Sequence, residues 1–329
     1  MVGLPSKRKL RILAAALAVL PALAATSPAV QSRPPAAVQS ARDLATQQRV
    51  ASIVAAARGR VGVAAMDLDG GGQVLINGDM PFPMASTAKV AVAATFLQMV
   101  EQGRFRLDQQ LPMMMPVPEA AGRRNLVAMV RPGPVYTAQT LLERMITRSD
   151  NHATDGLIAA VGGIGAVNRF LVQTGISGQH LDHTMATLVR DDGRINPARA
   201  VDTGTSSTPR AMIALLSAVD RGGALGPQAR AVLLDTMTRT STGKNRIRAG
   251  LPEGVLLAHK TGTLAGVTDD VGIVRMPDGR HVAMAIFVAG PENHTAQAGM
   301  ISRIAAALYQ GFLMPPDGPN LTGEVSRRR

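Results

Sequence analysis

Ser86-Thr87-Ala88-Lys89-Val90-Ala91-Val92-Ala93-Ala94 decides how this chain is read. A hydroxyl and an amine stand three residues apart at the start of an apolar helix, where such residues share a face. A serine hydroxyl is a weak nucleophile until a base takes its proton. A lysine serves as that base only where burial or nearby positive charge lowers its pKa. The following residues favour burial. With Phe96, Leu97, Met99 and Val100 added, the helix keeps almost no polar face, the pattern of a central, enclosed helix. Taken alone, the same four residues also describe an N-cap serine with a lysine in the first turn. The rest of the chain decides whether an acid, an anion hole and a carboxylate anchor accompany them.

The chain has 329 residues, 46% of them hydrophobic, enough for one large domain or two intimate subdomains around a sizeable core. Trp is absent and aromatic residues make up 2%, which excludes a platform of stacked rings for nucleic acid. Residues 1–24 read as a secretory signal peptide, with Lys7, Arg8, Lys9 and Arg11 as the basic region and Ile12 to Leu20 as the apolar core. Pro21 breaks that core, and Ala22-Leu23-Ala24 is a small-residue cleavage site. The apolar run is short for a membrane span. Cleavage removes four cations and lowers the formal net charge from +12 to +8. A periplasmic or secreted location is expected, without stable membrane insertion. There is no cysteine, so disulfides, thiolate metal sites and a lipid-attachment Cys are excluded.

Residues 25–41 form an Ala/Pro-rich linker. A helix is predicted over about 42–58, then strands over Arg60–Leu68 and Gln73–Asn77 joined by the turn Asp69-Gly70-Gly71-Gly72. Residues 86–235 are read as mostly helical, with helices at Thr137–Ile146, Asn151–Val161 and about 164–174. Residues 175–207 are read as a long loop. Thr208-Pro209 is an N-cap followed by Pro at the first helical position. Strands are predicted over Val255–Thr261, Thr268–Met276 and His281–Val288, with Pro277-Asp278-Gly279 turning the last two, and a helix over about 296–313. This order describes an antiparallel sheet made from both ends of the chain, with a helical insertion between them. Residues 42–315 are the expected catalytic domain, its α/β part about 42–85 and 236–315 and its helical part about 86–235. Residues 316–329, ending in Arg327-Arg328-Arg329, are expected to be a disordered basic tail.

Two further segments carry chemistry. Ser149-Asp150-Asn151 falls in a break between two predicted helices. Its hydroxyl would relay a proton to a leaving group, and its amide would bind a carbonyl. Lys260-Thr261-Gly262-Thr263 falls on a predicted strand. Lys260 would attract an anionic substrate, Gly262 would allow close backbone approach, and the N–H groups of Thr263 and Ser86 would form an oxyanion hole. His259 is expected on the opposite side of its strand from Lys260. His180-x-x-His183 flanking Asp182 lacks a nearby Cys or third His, so no metal is expected, nor any other cofactor.

Together the three motifs resemble the set of the class A β-lactamases, within the penicilloyl-serine hydrolases. The surroundings Phe82-Pro83-Met84-Ala85-Ser86-Thr87, Met145-Ile146-Thr147-Arg148-Ser149-Asp150-Asn151 and Thr242-Gly243, followed by Arg246 to Pro252, are similar too. The resemblance covers roughly residues 46–315. It implies an α+β fold, a three-layer α/β/α sandwich with an antiparallel sheet plus an all-helical subdomain, of the β-lactamase/transpeptidase-like kind. It implies Ser86 as the acylated nucleophile, Lys89 as base or proton relay, and Ser149 as proton donor to the β-lactam nitrogen. Asn151 would hold the substrate amide, Lys260 and Thr261 its carboxylate, and Arg246 would be a second carboxylate anchor. A monomer acting on a small molecule, a β-lactam or a peptidoglycan-like amide, is expected.

The family's deacylating Glu-x-x-Leu-Asn has no counterpart, because no Glu occurs from residue 144 to residue 252. Asp192-Gly193-Arg194-Ile195-Asn196 repeats the acid-x-x-aliphatic-Asn pattern at the family's interval before Pro209. Asp192 is thus the candidate base and Asn196 its water-holding partner; Asp192-Gly193 is equally the start of a turn. Aspartate is one methylene shorter than glutamate, on the order of 1.5 Å of reach, and displacements near 1 Å cost about 10²-fold. Three readings follow: a β-lactamase with slow deacylation, a penicillin-binding or DD-peptidase-like acyl enzyme, and a non-catalytic sensor of β-lactams or muropeptides.

Overall fold

The computed structural model describes residues 39–119, 125–197 and 204–315. The expected signal peptide, nearly all of the linker and the basic tail lie outside these residues. In chain order, α1 (Ala41–Val54) leads to β1 (Arg60–Asp67), β2 (Gln73–Ile76) and the short β3 (Phe82–Pro83). A 3-10 turn at Ala85–Ala88 then opens into α2 (Lys89–Glu101). A hairpin of β4 (Gln110–Pro116) and β5 (Val130–Thr137) precedes α3 (Ala138–Thr147), α4 (Asn151–Ala160) and α5 (Ile164–Gln173). Next come β6 (Gln179–His180), α6 (Met185–Arg190), β7 (Ser206–Ser207), α7 (Pro209–Asp220) and α8 (Pro227–Thr238). The chain closes with β8 (Leu257–Leu264), β9 (Val267–Arg275), β10 (His281–Ala289) and α9 (His294–Leu313).

The main sheet runs β2-β1-β10-β9-β8, antiparallel throughout. The chain's two ends therefore meet in one sheet, as their strand patterns imply. Strand β10 shows why both faces are covered. Val282, Met284, Ile286 and Val288 join one apolar cluster with Val50 of α1 and Ile301, Ile304 and Leu308 of α9. The alternate residues Ala283, Ala285, Phe287 and Ala289 join a second cluster with α2 and α7. A period of two thus separates two cores across one strand, giving the three-layer α+β arrangement.

Helix α2 is buried from Lys89 to Leu97, and α3, α4, α5 and α8 pack around it. Its missing polar face is explained by this position: every side meets another element. Two parts of the helical region differ from expectation. Residues 110–137 hold the β4–β5 hairpin, whose Met113-Met114-Met115 and Pro residues carry no clear alternation. Residues 175–207, read as a loop, hold α6 and two short strands, β7 pairing with β3 and β6 pairing with β7. Strands of two residues leave no periodicity to read.

Gly156 sits inside α4, where a Cβ would stand 2.5 Å from Pro112 O and 3.3 Å from Met113 Cα of β4. At an open helix position Gly→Ala gains about 1 kcal/mol. Here Gly156→Ala is expected to destabilise by about 1–3 kcal/mol through overpacking, read as a lower midpoint in thermal unfolding.

Candidate active site

Three chain segments meet at one hydroxyl. Ser149 Oγ accepts from Lys89 Nζ at 3.1 Å and from Lys260 Nζ at 3.0 Å. Lys89 also donates to Ser149 O and Asn151 Oδ1, both at 2.6 Å, and Lys260 donates to Thr261 O at 2.8 Å. Both lysines have 0% of their surface exposed. A hydroxyl has two acceptor lone pairs and one proton. With both lone pairs engaged by ammonium groups, the Ser149 proton is left for another acceptor.

The local backbone sets this geometry. Ser86 does not cap the helix: it lies inside the 3-10 turn, and the residue at the cap position is Met84, without a side-chain cap bond. In 3-10 geometry residues three apart eclipse one another, so Ser86 and Lys89 share a side. Ala85 has φ +45° and Ser149 has φ +59°, two of three non-glycine residues with positive φ among the described residues. Such backbone costs about 1–3 kcal/mol each and collects at functional sites. Asp150 is the N-cap of α4, accepting from His152 and Ala153 N–H and pairing with Arg144 at 2.8 Å. Burial raises its pKa, but the Ala153 N–H and Arg144 outweigh that and hold the carboxyl below its ordinary range. The motif therefore splits: its aspartate anchors the helix while its serine and asparagine face Lys89.

Burial lowers the Lys89 pKa to about 7, with Asp155 and Asp150 pulling the other way. All three ammonium protons are donated to the Ser149 and Asn151 acceptors, and Ser86 Oγ is not among them. Loss of one proton leaves a lone pair and two donors, opening one direction for the Ser86 proton. Lys260 is pushed well below the usual lysine range by burial and by the nearby Lys89 charge, while Asp270 opposes this. Asp270 in turn holds His259 Nδ1 at 2.9 Å and Ile247 N–H at 3.1 Å. His259 is thus a packing partner on the strand face away from Lys260.

Arg246 reaches the back of β8. It donates to Gly262 O at 2.7 Å, Asp269 O at 2.8 Å and Thr263 Oγ1 at 2.7 Å. Thr261 Oγ1 shares a hydrogen bond of 2.7 Å with Thr242 Oγ1. A Cβ on Gly262 would stand 2.9 Å from Met84 O and 3.1 Å from Ala85 Cβ. Only a glycine lets β8 lie this close to the turn that carries Ser86, so the N–H groups of Ser86 and Thr263 belong to adjoining backbone.

Asp192 and Asn196 are both exposed. Asp192 Oδ1 accepts from Ala265 N–H at 2.8 Å, beyond the end of β8. No hydrogen bond joins Asp192 to Ser86 or Lys89 among the described residues. It borders a cavity of about 450 Å³ that also touches Pro83, Leu188, Ile195, Leu264 and Ala265. Of the carboxylates that act on Lys89, the stronger is Asp155, which the sequence reading did not single out. It lies four residues after Asn151, on the same face of α4. Both its oxygens are occupied, Oδ1 by Met185 N–H at 2.7 Å and Oδ2 by Ala186 N–H at 2.8 Å. Burial raises its pKa against these two bonds. The expected loop is therefore a helix whose first turn hangs on Asp155. His180 and Asp182 are 3.7 Å apart, and the described residues contain no group of three or more His, Cys, Asp or Glu fit for a metal.

An eclipsed Ser–Lys pair, a bridging serine and a buried lysine beside a glycine-backed strand form a serine acyl-transfer constellation. Over residues 45–312 the chain matches the model of the beta-lactamase enzyme family. It is 32% identical over 269 residues to Beta-lactamase CTX-M-8 of Citrobacter amalonaticus, covering 81% of this chain and 89% of the relative. It is 29% identical over 283 residues to Extended-spectrum beta-lactamase PER-1 of Pseudomonas aeruginosa, covering 82% and 88%. Among solved structures, a beta-lactamase from Chitinophaga pinensis is similar with TM-score 0.70 and 30% identity over 82% of this chain and 99% of that one. PBP-A is similar with TM-score 0.68 and 30% identity, covering 82% and 96%. On this match and this geometry, the chain belongs to the beta-lactamase enzyme family, as a class A-like serine enzyme.

Proposed function

We propose that this protein opens β-lactam rings by forming an acyl ester on Ser86 and releases that ester slowly. The observation that carries this reading is the state of the carboxylates. Asp155 has both oxygens on the α6 backbone, Asp150 is held by α4 and Arg144, and Asp192 is exposed and bound to Ala265. Among the described residues no hydrogen bond ties any of these three to Ser86, whereas Lys89, Ser149, Asn151 and Lys260 are joined by hydrogen bonds beside the Ser86 turn.

In this mechanism neutral Lys89 takes the Ser86 proton as Oγ bonds to the lactam carbonyl carbon. The carbonyl electron pair moves to oxygen, facing the Ser86 and Thr263 N–H groups, donors worth about 10²–10³ in rate. Collapse breaks the C–N bond. Ser149 gives its proton to the ring nitrogen and regains one from Lys89, so the lysine ends neutral. Asn151 holds the substrate amide. Lys260 and Thr261 hold its carboxylate, and Arg246 adds positive potential from behind. An arriving carboxylate also raises the Lys260 pKa, restoring the charge that burial disfavours. Export to the periplasm or medium, proposed from residues 1–24, would place the enzyme where such substrates are met.

A second reading keeps the same chemistry with a peptidoglycan-like amide as the natural substrate. It is favoured by the same committed carboxylates and by the similarity to PBP-A as well as to β-lactamases.

Mature protein mixed with a chromogenic β-lactam is expected to gain the mass of the ligand and keep it, with little steady hydrolysis. Ser86→Ala is expected to abolish the adduct. Absence of both adduct and hydrolysis in the unaltered protein would sink both readings, and rapid turnover would sink the slow release. Acylation is expected to rise as pH increases through about 7, because the deprotonated lysine is the active form, and Lys89→Ala is expected to lower it about 10²–10⁴-fold. Asp192→Asn is expected to change residual turnover less than about twofold. A loss near the 10²-fold of a misplaced catalytic group would make Asp192 the deacylating base after all.

A further inference from the structure

One buried acid has no part in the chemistry above. Asp269 of β9 stands opposite Gly262 in the β8–β9 ladder and is fully buried. Neither carboxyl oxygen has a hydrogen-bond partner of normal geometry, and the Val288 N–H of β10 only favours its ionised form. Arg246 Nε, on the guanidinium that braces the backbone of Gly262 and Asp269, is likewise buried and unpartnered. Native proteins seldom leave such groups unmade, and each calls for an explanation. The carboxyl lies where the site is tightest. A Cβ on Gly262 would be 3.0 Å from Asp269 Oδ2, 2.9 Å from Met84 O and 3.1 Å from Ala85 Cβ. Asp269 therefore packs against the back of the turn that presents Ser86 and of the strand that presents the Thr263 N–H.

Its charged surroundings are few. Arg246 faces it from the segment before β8 and favours its ionised form, and Asp270 on its own strand opposes it. Lys260 lies on the same face of β8, two residues from Gly262. The β10 neighbours Phe287 and Val288 and the turn residues Met84 and Ala85 carry no charge. Burial dominates and pushes the Asp269 carboxyl well above the ordinary carboxylate range.

We propose that Asp269 is a positioning residue for acylation: as a neutral acid it seats the Ser86 turn and the Gly262–Thr263 backbone, and as a carboxylate it sets a negative charge behind the oxyanion hole. That charge repels the one building on the carbonyl oxygen, at short range and in a medium that screens poorly. Acylation therefore carries an alkaline limit that belongs to Asp269, above the rise that belongs to Lys89. The inference rests on the Ser86 acylation reading. Asparagine has the same shape and no ionisation, which separates charge from packing.

The test is the second-order rate of adduct formation with benzylpenicillin, followed by intact mass from about pH 6 to pH 10, for the mature protein and Asp269→Asn. The unaltered protein is expected to lose rate at high pH, about tenfold per unit once ionisation is limiting. Asp269→Asn is expected to keep its rate there while retaining the rise through about 7. Thermal unfolding supplies a second readout. A pKa raised on folding means that the folded state holds the proton more tightly, so its contribution is present at low pH and lost as pH rises. The midpoint of Asp269→Asn is thus expected to exceed that of the unaltered protein at pH 8, the gap closing toward pH 4. A common alkaline fall in both proteins, or a gap that ignores pH, overturns the inference alone. Absence of an adduct in both at every pH overturns the acylation reading and this inference with it.

Discussion

The bond pair from Lys89 and Lys260 to Ser149 Oγ is the joint on which the site depends. It ties the first turn of α2, the break before α4 and the strand β8 to a single atom. Two ammonium groups that share one hydroxyl repel each other, and both are cut off from water. The fold has to overcome that repulsion through packing, since its central helix and the sheet face beneath it are filled with Ala, Val, Leu and Phe. The gain is chemical. A lysine that releases its proton near pH 7 is a base, and a serine with both lone pairs engaged is a proton donor.

The acids around this joint serve the backbone. Asp150 starts α4, Asp155 suspends the first turn of α6, and Asp270 holds His259 and the Ile247 N–H. Each is stabilised by N–H donors or by a cation, and the Asp155 and Asp150 charges still favour the Lys89 ammonium against burial. Among the described residues, none of these acids is hydrogen-bonded to Ser86. In the proposed mechanism, slow release of the acyl ester follows from these carboxylates serving the backbone. Asp269 differs, being buried beside an arginine yet unpaired at both oxygens.

Much of this was legible in the residues. The strands β1, β9 and β10 announce themselves as apolar runs bounded by Gly and Pro turns. Thr137, Asp150 and Thr208 mark helix starts as capping residues do. The three motifs named Ser86, Lys89, Ser149 and Lys260 before any geometry. The β4–β5 hairpin was hidden because Met and Pro residues in it blur the period of two, and α6 because a six-residue helix is too short to show one. Asp192 fitted the family's spacing. Spacing along a chain does not say what a residue will bond to; Asp192 is exposed and accepts from Ala265 N–H.

The sequence by itself determined the class of chemistry, because a nucleophile, a relay and an anchor are properties of side chains and of short helical or extended spacings. It also determined the sheet, since apolar periodicity is local. Only the tertiary structure decided which acids were spent on backbone N–H groups, which lysine sat in the dry core at a pKa of about 7, and which carboxyl was left without a partner. Those outcomes depend on contacts between segments far apart in the chain. Burial and hydrogen bonding, which set the charge of every group here, are sums over such contacts and are not written in any one stretch of residues.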